Sequence, residues 1–177
     1  ARKRGYDVFE TAEEMRDSTS NRMLGLFASD VMTTQHPEPT IEEMTKKAIS
    51  TLSSDVKGFF VMIEGAQIDS YAHGNNAHEV VRQTLMFDDA IRAALDFARE
   101  HGDTLVLVTA DHETGGLAVH NADEDHPDFT AGWTSGGHSA NMVPVYAYGP
   151  RSEHFTGTHD NTEIAGICAG FWGRKLN

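Results

Sequence analysis

Two short, unbroken apolar runs stand out along an otherwise mixed chain: Phe59-Phe60-Val61-Met62-Ile63, after the turn at Lys57-Gly58, and Leu105-Val106-Leu107-Val108, flanked by threonines. Runs of this length with apolar residues on both faces read as buried strands of a parallel sheet. Between them, from Ala77 to Glu100, Val80, Val81, Leu85, Phe87, Ile91, Leu95 and Phe97 keep helical spacing, and His101-Gly102 supplies the stop. Strand, helix and strand in this order predict a right-handed crossover in a mostly parallel, doubly wound sheet, hence an α/β fold with three α/β/α layers.

The flanking patterns extend this picture. Gly5 to Met15 reads as a short extended piece followed by a Glu-rich helical turn, and Arg22 to Ala28 as a strand. Ser29 to Pro39 is a loop by its prolines. Thr40-Ile41-Glu42-Glu43 is a capping box, and Met44, Ala48, Ile49 and Leu52 carry it into an amphipathic helix ending near Ser54. Val119 to Gly137 is polar and rich in turn formers, an excursion over the sheet edge. Val143 to Tyr148 returns as a strand, placed at an edge by Pro144. Asp160-Asn161-Thr162-Glu163 is a second capping box opening a helix through Phe171. No internal repeat and no linker divides the chain, so residues 1–177 are expected to form part or all of a single domain.

Composition narrows the function classes. An apolar content of 39% over 177 residues suits an ordinary core. No apolar run approaches the ~20 residues of a membrane span, and no h-region of a signal peptide follows Ala1-Arg2-Lys3-Arg4-Gly5. A formal charge of −13 repels phosphate backbones, which argues against nucleic-acid binding. An anionic small substrate then requires bound cations to reverse the local field. Cys168 is the sole cysteine, which excludes an internal disulfide and thiolate clusters; in the apolar run Ile164 to Gly170 it reads as a buried structural thiol.

Candidate chemistry gathers after the two apolar runs. Glu64, Asp69 and His73 follow the first, and Asp111 and His112 follow the second, where the carboxyl ends of strands collect ligands. Asp69 and His73, four apart, share a helix face and can grip one zinc; His138 would complete three ligands and leave the open position of a catalytic site. Asp111 and His112 reach one ion only from a turn. Glu64 is a hard oxygen donor suited to magnesium. Taken singly, an Asp-His pair after a strand is more often a solvated turn, and a lone Glu a helix cap. His36, His78, His101, His120, His126, His154 and His159 stand in polar or helical contexts and are expected at the surface or in turns.

The joint pattern resembles the alkaline phosphatase family. The resemblance runs from about Leu24 to Gly149 and onward, through Gly25-Leu26-Phe27-Ala28, Met44-Thr45-x-Lys47-Ala48-Ile49, Glu64-Gly65-Ala66-x-Ile68-Asp69-x-x-x-His73, Thr109-Ala110-Asp111-His112 and His138-Ser139-Ala140. It implies Asp69, His73 and His138 as ligands of a first zinc (Zn2+), Asp111 and His112 of a second, and Glu64 of magnesium (Mg2+). It also implies hydrolysis of phosphate monoesters through a phosphoserine, by displacement between two metals about 4 Å apart. Family members act as homodimers outside the cytoplasm, in the periplasm or extracellular space. Acid should strip the metals, because protons compete for the imidazole nitrogens.

Several of the family's parts are missing. No Asp-Ser-Ala nucleophile motif occurs: Asp17-Ser18 leads to Thr19, and Asp69-Ser70 to Tyr71. The family's early aspartate shared by zinc and magnesium, its magnesium-binding threonine and its phosphate-clamping arginine have no counterpart either. The resemblance therefore implies that this chain is the C-terminal portion of a single alkaline-phosphatase-like domain, its sheet present only in part, without a catalytic serine and not competent alone. Some members carry Lys where this chain has Ser70 and His where it has Thr114, residues that tune phosphate and the third metal. Uncovered strand edges should make the isolated chain associate or require the missing half. Two alternatives stand beside this reading: a truncated, non-catalytic zinc-binding fragment, and another metal-dependent phosphatase, sulfatase or phosphomutase.

Overall fold

A computed structural model describes residues 1–120 and 129–176. Two compact units divide the chain, Ala1–Ala94 and Leu95–Asn177.

The first unit opens with β1 (Asp7–Phe9), α1 (Ala12–Asp17) and β2 (Met23–Gly25), with β1 and β2 paired in parallel. Helix α1 starts where Thr11 Oγ1 accepts the Glu14 N–H at 3.2 Å and the Glu14 carboxylate answers the Thr11 N–H at 3.3 Å. The same reciprocal box opens α2 (Ile41–Leu52), with Thr40 and Glu43 at 3.1 and 2.9 Å. Ile41, Thr45 and Ile49 form the buried stripe of α2, and the Thr45 hydroxyl is satisfied by donating to the Ile41 carbonyl at 2.7 Å. Lys47 reaches across to the carbonyls of Arg16 and Ser18, satisfying acceptors at the end of α1.

Phe59–Ile63 does not form the expected strand: among the described residues no ladder partner lies beside it. Phe60 and Met62 are 70% and 73% exposed, while Phe59, Val61 and Ile63 are half-buried. The run keeps the period-two alternation of a strand but lacks the neighbour whose hydrogen bonds would make it one. Glu64, Asp69 and His73 thus follow a segment outside the ladders of the described residues, and α3 (Gln67–His73) begins three residues after Glu64.

Helix α4 (Ala77–His101) has the predicted length and ends at Gly102, whose φ of +74° fits the left-handed stop. Its buried face differs in part from the expected one. Val80, Gln83, Ala90 and Ala98 are buried, whereas Val81 is 39% and Leu85 63% exposed. Large residues on the far side supplied apolar periodicity, while alanines on the near side let the backbone approach the core.

In the second unit, β3 (Val106–Thr109) and, later in the chain, Val145–Tyr148 pair antiparallel, with Thr109 opposite Val145 and Val106 opposite Tyr148. No parallel partner for β3 exists among the described residues, so the expected crossover pairing is not made there. The remaining strands are short: β4 (Glu113–Thr114), β5 (Ala118–His120), β6 (Thr130–Gly132) and β7 (His138–Ser139), with β8 being Val145–Tyr148. β4 pairs with β7 and β5 with β6, all antiparallel. The expected excursion from Val119 to Gly137 therefore carries a ladder of its own, β5 with β6, and is bracketed by the ladder of β4 with β7; its residues 121–128, with His126, lie outside the described residues. Pro144 stands just before β8, where a missing N–H breaks no ladder bond. Helix α5 (Asn161–Phe171) opens with the predicted box at Asp160 and Glu163. None of its residues is fully buried, and Cys168 is half-buried rather than buried as expected. Helices with small sheets make the class α/β.

Candidate metal centre

In the first unit α3 holds Asp69 and His73 one turn apart, and Asp69 Oδ2 lies 3.3 Å from His73 Nε2. Both side chains are about two-fifths exposed, 42% and 41%. Gly65 lets this segment press against α4: a Cβ there would stand 3.0 Å from the Phe87 ring. Glu64 is exposed at the approach to α3.

In the second unit β3 ends at Thr109, and the turn beyond it carries Asp111 and His112, whose Oδ2 and Nε2 are again 3.3 Å apart. The ladder of β4 and β7 places Thr114 opposite His138 and Glu113 opposite Ser139. Alternation along a strand puts residues 112, 114 and 138 on one face and 113 and 139 on the other, with 112 and 138 as diagonal neighbours. The rings follow this pattern, for His112 and His138 stack with centroids 3.6 Å apart and planes 24° from parallel. The Thr114 hydroxyl is 3.3 Å from His112 Nδ1. An Nδ1–H donated to that oxygen leaves the Nε2 lone pair for a metal.

The opposite face of the ladder is tied by Glu113, which the sequence reasoning passed over. Its carboxylate accepts the Ser139 hydroxyl and the Gly116 N–H, the latter at 2.6 Å. The Ser139 bond first, and the backbone N–H bonds after it, hold the Glu113 carboxyl below the usual carboxylate range. The glycines around it close the turn. Gly115 donates to the Gly137 carbonyl at 2.9 Å and accepts the N–H groups of Thr134 and Ser135. Gly116 has φ +62°, and a Cβ there would lie 1.8 Å from Thr134 Oγ1, so no side chain fits. The available signal was the repeated glycine pair, Gly115-Gly116 and Gly136-Gly137, bracketing two short segments that pair.

The donor sets fit zinc. With bonds of about 2.0–2.1 Å to nitrogen and oxygen, two ligands of a tetrahedral ion are about 3.3–3.4 Å apart. Both Asp-His pairs stand at that separation. Imidazole with carboxylate and no thiolate occurs among catalytic zinc sites, whereas structural zinc sites commonly include thiolate.

Comparison with known proteins bears on the family and the fold. The family profile described as Alkaline phosphatase matches residues 1–127 and 118–172. Alkaline phosphatase 3 of Bacillus subtilis (strain 168) is 31% identical, over 93% of this chain and 52% of that protein. The solved alkaline phosphatase from the Antarctic bacterium TAB5 is 37% identical with a TM-score of 0.82, over 92% of this chain and 51% of that one. A substituted form of the TAB5 enzyme, with magnesium in its M3 site, is 38% identical at a TM-score of 0.79. The chain spans about half the length of the curated relatives it matches. Because the profile covers nearly every residue and the fold follows the solved relatives, the chain belongs to the alkaline phosphatase family.

Proposed function

We propose that this chain carries most of the metal-binding groups of a phosphate monoesterase. In this reading Asp69, His73 and His138 hold one zinc, Asp111 and His112 take part in holding a second, and Glu64 serves magnesium. The observation that carries it is the pair of Asp-His couples, each with donors 3.3 Å apart. Bound zinc would activate an oxygen nucleophile and offset charge on the phosphoryl oxygens. The chain's own part is to present donors. Helix α3 aligns Asp69 with His73, and the β4–β7 ladder keeps His112 beside His138. Since the chain's formal charge is −13, phosphate would approach only where cations reverse the field.

The phosphoserine of the family's reaction has no source here, because no Asp-Ser-Ala occurs among these residues. In this reading these residues are a metal-binding portion that does not turn over without a further segment supplying the serine. A homodimer outside the cytoplasm is part of the same reading. The test is zinc titration followed by p-nitrophenyl phosphate hydrolysis at alkaline pH, on chain of verified intact mass. Zinc binding without turnover is expected. Chelator-sensitive turnover would place a nucleophile within these residues, and absence of zinc binding would refute the metal assignment. Turnover of sulfate esters or diesters in preference to monoesters would move the chain to the wider sulfatase and phosphomutase group.

A further inference from the structure

We infer that Glu113 is a positioning residue that clips the β4–β7 ladder from behind and so keeps His112 and His138 side by side, an inference that rests on the metal reading above. The ladder has only two residue pairs, Glu113 with Ser139 and Thr114 with His138. So short a ladder defines its register weakly, and a slip of one residue would carry His138 to the opposite face. Glu113 opposes such a slip with one bond that crosses the ladder and closes only in this register, while a second, local bond fixes the same carboxylate to its own turn. One oxygen takes the hydroxyl of Ser139, next to His138, and the other takes the Gly116 N–H beyond the end of β4. Glu113 makes no hydrogen bond to either imidazole; beside its coulombic interaction with His112, its effect on the ring geometry passes through the backbone it ties down.

The resemblance that pointed to His112 and His138 assigned nothing to Glu113. Its neighbour Thr114 contacts the imidazole directly, at 3.3 Å from Nδ1, and belongs to the metal-facing side. Glu113 and Ser139 form the reverse side, so the two strands are held from both faces. Preorganising ligands by such outer contacts commonly changes metal affinity ~10–100-fold.

The test uses the whole chain with Glu113→Ala, Glu113→Gln and Ser139→Ala. Two quantities are read: zinc affinity against a chromogenic chelator, and the upfield shifts that stacked rings impose on imidazole protons in the metal-free protein. Glu113→Ala should lose the stacking shifts and weaken zinc about 10-fold or more. Glu113→Gln, which keeps one acceptor oxygen, should recover much of both. Ser139→Ala removes one hydroxyl with little risk to folding and should move both readouts in the direction of Glu113→Ala. Unchanged shifts and affinity in a folded Glu113→Ala chain, or in Ser139→Ala if the former fails to fold, would overturn the inference. Should the unsubstituted chain bind no zinc, the metal reading falls while the imidazole shifts still decide whether Glu113 sets the ladder.

Discussion

Asp69 and His73 illustrate how little an isolated side-chain pair reveals until its surroundings are considered. An exposed Asp-His couple one turn apart on a helix adds a few tenths of a kcal/mol at most, about 0.3–0.5 kcal/mol for favourable helix pairs. As metal donors the same atoms matter far more than they do to stability. Replacing Asp69 by Asn keeps the shape and removes the charge. Zinc affinity should then fall by more than the ~10–100-fold typical of outer-shell changes. The melting temperature of the metal-free chain should stay within about 2 °C. Parallel chelator competition and thermal melts check this; equal zinc affinity would remove Asp69 from the ligand set. The closeness of Asp69 to His73 and of Asp111 to His112 was legible in the sequence because each pair is local along the chain. Glu113 was not, since its partner Ser139 lies 26 residues away and nothing local marks their pairing.

Among the elements, the helices and the strands β2, β3 and β8 were legible, whereas strand pairing was not, and the physics differs accordingly. Thr40 with Glu43 and Asp160 with Glu163 announce their helices because a capping box closes within four residues. The pairing of β3 depends on a strand beginning at Val145, beyond any local pattern, and the apolar run at 59–63 looked buried because burial was inferred from composition. Along α4, Leu85 and Val81 outweighed Ala90 and Ala98 in the pattern, although the alanines are the residues that pack.

The caps also give this scale its prediction. Thr40→Ala should cost about 0.5–2 kcal/mol in urea unfolding. The Thr40 N–H bond first, with Arg16 adding to it, holds the Glu43 carboxyl below its ordinary 4.5. A depressed carboxylate stabilises the fold above the unfolded value and loses that contribution as pH falls through the folded one. The gap in stability between the parent and Glu43→Gln should therefore be widest at neutral pH and shrink below about pH 4.5. A gap that grows on acidification would refute the assignment.

At the scale of the whole molecule, charge and exposed apolar surface oppose each other. Phe60 and Met62 stand out from a segment with no ladder partner among the described residues, a site where a further strand would pair. Against association stands the formal charge of −13, whose repulsion is screened once salt brings the Debye length to about 10 Å or less. Size-exclusion chromatography should thus show larger species that increase with salt. Phe60→Lys with Met62→Lys should return the chain toward the monomer. A monodisperse monomer of the unsubstituted chain at high salt would show that this segment is not adhesive. Fold class and family were readable from the motifs, whereas the division into two compact units had no linker or composition shift to announce it.

Gly116 carries a consequence for how this protein varies. With a left-handed backbone and Thr134 Oγ1 where a Cβ would stand, the position accepts hydrogen and nothing else. A side chain there is therefore strained, and on the other side shortening Thr134 to alanine removes the colliding oxygen, which serine would keep. The two positions form a lock with a movable side and a fixed one: Thr134 can give way, whereas the left-handed backbone holds Gly116 to glycine even when the space above it is cleared.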